Sequence, residues 1–189
     1  MIPTLRTFVV RPAGVAAASL VLLASAAAAQ TGVMADMLQD VGQVEQKLVG
    51  LARAMPADKY DWRPGEGVRS VGEVFQHVAS DNYLLAAGAG TAAPTATGIK
   101  AEDYNTAVAY EGRKLGRDAI IAELEASFAH LKKAMAASPD SRLGEKVSLF
   151  GGSMTIQQLW LLEVTHIHEH LGQSIAYARA NGVVPPWSR

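Results

Sequence analysis

The stretch TIQQLWLLEVTHIHEHLGQSIAYARANG, residues 155–182, has the sequence signals of one long amphipathic helix. Thr155 and Gln158 have the spacing of a capping box, in which each side chain satisfies a free backbone amide. Gly182 suits the left-handed position just past a helix end. Between these ends the apolar residues recur at helical spacing. They are Ile156, Leu159, Trp160, Val164, Ile167, Leu171 and Ala178.

Three segments upstream follow the same helical spacing. The first covers residues 34–55 and ends at Pro56, because a proline disfavours helix in the residue before it. The second begins at the capping box Ser70-Val-Gly-Glu73 and runs to about Ala87. The third covers residues 117–137. Four amphipathic helices in one domain predict an all-α fold, a four-helix bundle.

The connection between helices two and three, residues 88–116, is rich in Ala, Thr and Gly and weakly patterned. It is long enough to cross the bundle, which would let helices two and three run parallel. A short helix over residues 104–110 fits its pattern. Residues 141–153 favour a short strand or hairpin before helix four.

Residues 1–29 have the pattern of a secretory signal peptide, and 30–189 are predicted to form one domain. Arg6 and Arg11 precede an apolar run, and Ala27-Ala28-Ala29 is typical of a cleavage site. The run is shorter than the roughly 18 residues of a membrane span, so no membrane association is expected after cleavage. An exported, periplasmic protein is therefore predicted.

Composition narrows the choice of partners. Loss of Arg6 and Arg11 changes the formal net charge from −1 to −3, which argues against nucleic acid as a partner. The chain has no cysteine, so it can supply neither a disulfide nor a thiolate ligand. Any metal must be held by His, Asp, Glu or water. A small-molecule substrate and a homodimer are the remaining expectations, since bundles with exposed apolar flanks often pair.

Three histidines on two predicted helices are the candidate metal ligands. His166 and His170 are four residues apart, so their side chains lie one above the other on helix four. A third ligand must come from another element, and His77 on helix two is the candidate. Three imidazoles would leave a coordination position open, which is typical of catalytic sites. The same polar stripe would also fit a solvated helix flank, and the spacing leaves both interpretations open.

Carboxylates and an amide accompany these histidines. Glu163 and Gln173 lie on the same stripe of helix four, and Asp81 lies one turn beyond His77. Each could orient an imidazole, because a ligating ring normally bonds a partner through its second nitrogen. Glu163 and Asp81 are also the candidate catalytic groups, as a base or a fourth ligand.

The other two histidines are not predicted to be ligands. His168 lies about 200° around the helix from His166, so it should face another helix or solvent. His130 falls on the polar side of helix three, where a surface position is predicted. The Glu163-x-x-His166 pair matches half of a di-iron motif, but the chain has no second copy.

The chain resembles the DinB superfamily of metalloenzymes along nearly all of its mature length. The resemblance is carried by Pro56-Ala-Asp-Lys-Tyr-Asp-Trp-Arg-Pro64, by Arg69-Ser-Val-Gly-Glu73 leading into His77, and by residues 166–173. The closing motif of that family, two histidines four residues apart and then Gly-Gln, matches His166, His170, Gly172 and Gln173.

This resemblance implies a four-helix bundle with a divalent metal, nickel or zinc, held by His77, His166 and His170. Related proteins include transferases and isomerases that use a low-molecular-weight thiol, which would come from outside this cysteine-free chain. The leading hypothesis is a metal-dependent hydrolase or thiol transferase acting on a small molecule. The alternatives are a non-catalytic metal-binding or stress-response bundle and a purely structural or partner-binding bundle.

Overall fold

The computed structural model describes residues 32–188, and the predicted signal peptide lies outside this range. It contains five α-helices and a two-stranded antiparallel sheet in the described residues. The helices are α1 (Val33–Ala54), α2 (Val71–Gly88), α3 (Tyr104–Glu111), α4 (Arg117–Ala136) and α5 (Ile156–Ala180). The strands are β1 (Lys146–Leu149) and β2 (Gly152–Thr155). The predicted all-α bundle is confirmed, with α1, α2, α4 and α5 as its four long helices.

Contacts between the long helices fix their directions. Gly72 lies against Ile120 near the starts of α2 and α4, and the Asn82 side chain is 2.9 Å from Ser127 further along both helices. The two helices are therefore parallel, as the long crossover predicted.

The other neighbouring pairs complete the ring. Arg53 pairs with Glu125 and Lys132 with Glu45, so α1 and α4 are antiparallel. The contact between Gly88 and Leu159, together with the approach of His77 to the histidines of α5, makes α2 antiparallel to α5. The chain thus runs up, down, down and up around the bundle, and α2 and α5 are adjacent.

The crossover between α2 and α4 folds back over α2. Its short helix α3, predicted over residues 104–110, buries Ala107 and Tyr110. The Ser80 hydroxyl of α2 donates to the Ala107 carbonyl at 3.3 Å. This packing places the C-terminal end of α3 beside the middle of α2.

The predicted hairpin before α5 is also present. Leu149 pairs with Gly152, which leaves Phe150 and Gly151 as a two-residue turn. Both turn residues have positive φ, 54° and 73°, as a type I′ turn requires.

The core lies between the four long helices, where apolar stripes meet. Burying such side chains contributes about 1.5–3 kcal/mol each. Helix α2 is buried around most of its circumference because the crossover covers one side of it. Its buried polar residues therefore need partners inside the protein. The largest fully buried side chains include Phe75, Tyr110, Phe128 and Trp160.

Among residues 32–188 no helix combines the length and apolarity needed to cross a membrane.

Candidate metal centre

Three imidazole rings converge between α2 and α5. The Nε2 atom of His166 lies 3.1 Å from Nε2 of His77 and 3.0 Å from Nε2 of His170. The ligand atoms of the three residues all lie within 4.8 Å of one another. The antiparallel pairing of α2 and α5 produces this meeting, because it sets the middle of α2 against the middle of α5.

Second partners determine which nitrogen of His77 and His170 faces the cluster. Nδ1 of His77 is 2.9 Å from Oε1 of Glu111, and Nδ1 of His170 is 2.8 Å from Oε1 of Gln173. Both oxygens are acceptors, so each Nδ1 must carry the proton. With the proton on Nδ1, the Nε2 atom of each ring is the one that can present a lone pair to the cluster.

The third ring, His166, cannot donate a hydrogen bond to the Nε2 atoms of both His77 and His170. A neutral imidazole has one N–H, and the buried Nδ1 of His166 has no partner among residues 32–188. Burial, followed by the neighbouring His170 and His77, lowers the pKa of His166 to about 3, so the ring is neutral at neutral pH. Burial likewise lowers the pKa of His170. Three imidazole rings with converging nitrogens fit a divalent cation.

Asp81 lies beside the three rings, one turn along α2 from His77. Its Oδ2 is 3.2 Å from Nε2 of His166 and 3.7 Å from Nε2 of His77. Its Oδ1 is buried without a partner in the described residues. Burial raises the pKa of Asp81 to about 6, although His77 opposes the shift. Asp81 can therefore ligate a cation or accept a proton next to it.

Glu163 lies beneath this layer and is fully buried. With the Asn82 amide nitrogen turned toward it, Oε1 accepts a hydrogen bond of 2.7 Å. Burial and then the charge of Asp81 raise the pKa of Glu163 well above its ordinary value. Burial thus favours the protonated, uncharged form of this side chain. No hydrogen bond joins it to the three histidines in the described part of the chain.

An outer layer of polar contacts supports the rings. Glu111 also pairs with Arg69 at 3.1 Å. Although burial raises the pKa of Glu111, the bond from His77 and the charge of Arg69 lower it overall, so the group is ionised. On the other side, Gln173 donates to the Tyr177 hydroxyl at 3.0 Å, which donates to the Arg69 carbonyl. The histidine rings are therefore supported by contacts from α3, from α5 and from the loop before α2.

Gln173, one of the predicted orienting groups, contacts the ring of His170. Asp81, another of them, lies in the cluster itself. It places Glu163 below the cluster rather than against a ring. Glu111 was missed, because it lies in the weakly patterned crossover. Its only sequence signal is its position seven residues after Tyr104, on the same face of a short helix.

The remaining histidines lie away from the cluster. His168 contacts α1 at the surface, 2.7 Å from Asp40, as the helical geometry predicted. His130 is half-buried rather than fully at the surface, since its ring packs against Tyr83 with centroids 5.4 Å apart, and it is not part of the cluster. Burial lowers the pKa of His130. The crossover, whose path the sequence could not predict, covers this part of α4.

The fold is a helical bundle in which three imidazole rings converge between two helices. These two features place the protein in the class of helical bundles with a candidate site for a divalent metal. The family model for the DinB superfamily matches residues 41–174. The chain therefore belongs to the DinB superfamily. The comparison with curated proteins gave no match.

Two solved structures share the fold. The crystal structure of a DinB-like protein from Bacillus cereus is 17% identical, with a TM-score of 0.64, and the match covers 84% of this chain and 97% of that one. A DinB-like protein from Bacillus subtilis is 16% identical, with a TM-score of 0.59, and the match covers 79% and 93%. At these identities the likeness concerns the fold alone.

Proposed function

We propose that the protein binds one divalent metal ion through His77, His166 and His170 and acts as a metal-dependent hydrolase or thiol transferase on a small molecule. One observation carries this proposal. Two imidazole lone pairs, fixed by Glu111 and Gln173, point at the third ring, which has one N–H at most. A bound cation can accept all the lone pairs that point into the cluster, whereas a single N–H group can satisfy only one of them.

The ligand set favours nickel or zinc, because imidazole nitrogen suits both metals. When bound, the ion would polarise a carbonyl group and acidify a bound water or an external thiol. His77 and His170 hold their tautomers through Glu111 and Gln173. Three protein ligands leave at least one position for a substrate, which supports a catalytic over a structural role.

Asp81 is the proposed proton acceptor. Its carboxylate is close enough to the ligand nitrogens to reach a group bound beside them. With a pKa of about 6 it is mostly ionised at neutral pH and can take a proton at Oδ2. The raised pKa of Glu163 beneath it favours the uncharged form, which avoids a second negative charge there.

The test uses tag-free protein loaded with zinc or nickel and a panel of neutral esters and thiol–electrophile pairs. We expect metal-dependent turnover, with kcat lowered about 100-fold or more by Asp81→Asn, the usual effect of losing a general base. Asp58→Asn, at an exposed carboxylate away from the rings, is the matched control. Bound metal without turnover would instead favour the non-catalytic metal-binding or stress-response bundle.

Export to the periplasm is a separate part of the proposal, supported only by the pattern of residues 1–29. Expression of the full chain in a Gram-negative host should yield a periplasmic product whose mass corresponds to Gln30 as the first residue. A product retained in the cytoplasm with residues 1–29 attached would contradict export but leave the metal centre unaffected.

A further inference from the structure

Helix α3 presents two exposed apolar side chains beside the metal centre. Tyr104, Val108 and Glu111 are spaced four and three residues apart, so they share one face of the helix. Glu111 contacts His77, whereas Tyr104 and Val108 are 48% and 50% exposed. The face of α3 that contacts His77 therefore continues as an exposed apolar surface.

A strained aromatic residue borders the same surface. Phe150 occupies the first turn position of the hairpin with φ of 54° and is 53% exposed. Asparagine is the preferred residue at this position, because a bulky side chain in the left-handed region is unfavourable. The Phe150 ring packs edge-on against Tyr104, with centroids 5.9 Å apart. Such strain at an exposed position points to a functional use.

A cavity connects this aromatic pair to the metal centre. Tyr104, Phe150 and Asp81 line a space of about 430 Å³, which is within the usual range for small-molecule sites. The Asp81 carboxylate is a wall of this cavity and also lies 3.2 Å from Nε2 of His166. A molecule held against these two aromatic rings would thus place one end next to Asp81 and the proposed metal position.

Charge restricts what the cavity can hold. Among residues 32–188, the only charged residue that lines it is Asp81, and an adjoining cavity on the other side of the aromatic pair adds Glu102. Within that same range neither lining includes a lysine or arginine. In the metal-free protein an anionic ligand would meet carboxylates without a cation, whereas a neutral ligand with an N–H or O–H group could donate to the Asp81 carboxylate, whose side chain is 16% exposed.

We infer that Tyr104 and Phe150 bind the apolar, ring-sized part of an uncharged small molecule, whose polar end reaches Asp81 and the three histidines. The cavity is then the substrate pocket of the proposed function, on which this inference rests. The substrate class is a neutral compound with an aromatic or compact alkyl body and one polar reactive group.

The experiment measures binding of 2-naphthamide, a neutral probe, by ligand-observed NMR, with and without zinc. We expect Phe150→Asn to weaken binding about tenfold, the usual worth of a buried aromatic contact. The same change should leave the melting temperature equal or higher, because asparagine suits the turn. Leu161→Asn is the control, since Leu161 is equally exposed but lies roughly 140° around α5 from His166.

A second probe tests the charge argument. The anion 2-naphthoate should bind zinc-free protein about tenfold more weakly than the amide, because no cation lines the pocket. Equal binding of the amide by Phe150→Asn and the unmodified protein, or preference for the anion, would overturn the inference. Zinc titration of the same samples separates the two proposals: probe binding that depends on Phe150 in a protein that takes up no zinc would support the pocket and refute the metal centre.

Discussion

Glu111 determines which nitrogen of His77 is available to a metal, although it cannot itself be identified from local sequence. It accepts the Nδ1 proton at 2.9 Å and is held in place by Arg69. Partners of this kind fix the tautomer of a ligand ring and raise its basicity.

We therefore expect Glu111→Gln to weaken zinc affinity about 10- to 100-fold while the fold persists. The measurement is a competition titration against a chromophoric chelator. Glu102→Gln removes a carboxylate from the same crossover without touching a ligand ring and should have no effect. An unchanged affinity in Glu111→Gln would show that His77 is not oriented by this contact.

The buried carboxyl group of Glu163 should make the free energy of unfolding depend on pH. Its pKa is raised in the folded protein by burial, so the folded state holds a proton that the unfolded state releases above its ordinary pKa. Its stabilising contribution is present at low pH and is lost as the pH rises through the folded pKa.

Glu163→Gln should therefore gain stability relative to the unmodified metal-free protein as the pH is raised from 5 to 8. Urea unfolding of both proteins at each pH measures this difference, and contributions from His166 and Asp81 largely cancel in the comparison. A difference that stays constant or reverses between pH 5 and 8 would contradict a neutral Glu163.

The meeting of the three histidines could be predicted from the sequence, but the residues that contact their rings could be predicted only in part. His166, His170 and Gln173 lie on one helix, where spacing alone fixes their relative positions. The contact of Glu111 with His77 depends on the path of the crossover, and no local pattern encodes that path. The contact of His130 with Tyr83 depends instead on how α4 packs against α2.

Among the elements, α2 depends on the capping box that starts it. The Ser70 hydroxyl accepts from the Glu73 amide at 3.3 Å, and Oε2 of Glu73 accepts from the Ser70 amide at 2.8 Å. The preceding residue, Arg69, contacts both Glu111 and Tyr177, so this cap also positions the outer layer of the metal centre.

Ser70→Ala should lower the free energy of unfolding by about 1 kcal/mol, the typical loss for an N-cap. Ser141→Ala changes an exposed serine outside the long helices and should change stability little. Chemical denaturation of the two variants checks this. Equal stability of Ser70→Ala and the unmodified protein would mean that the cap does not hold the start of α2.

Element boundaries followed from sequence wherever a physical stop signal exists. The capping boxes, Pro56 and Gly182 marked the ends of α1, α2 and α5 to within a residue or two. The crossover lacks such signals except within α3. Its docking onto α2 is tertiary, made through Ala107, Tyr110 and the bond from Ser80.

The up, down, down and up order of the long helices brings the three histidines of the candidate metal centre together. It makes α2 and α5 antiparallel neighbours, so His77 meets both histidines of α5 near the middle of the bundle. The long crossover predicted that α2 and α4 could run parallel. Which helices would be neighbours depends on the packing of all four apolar stripes together, so helical spacing alone could not predict it.

The most direct test of this account is the metal content of tag-free protein after exposure to excess zinc and removal of loosely bound ions. We predict about one zinc per chain, since the three converging imidazoles form one site. His166→Ala should lose at least tenfold in affinity, whereas His168→Ala, two residues away on the same helix, should match the unmodified protein. Zinc retained equally by all three proteins, or by none of them, would contradict a metal centre at His77, His166 and His170.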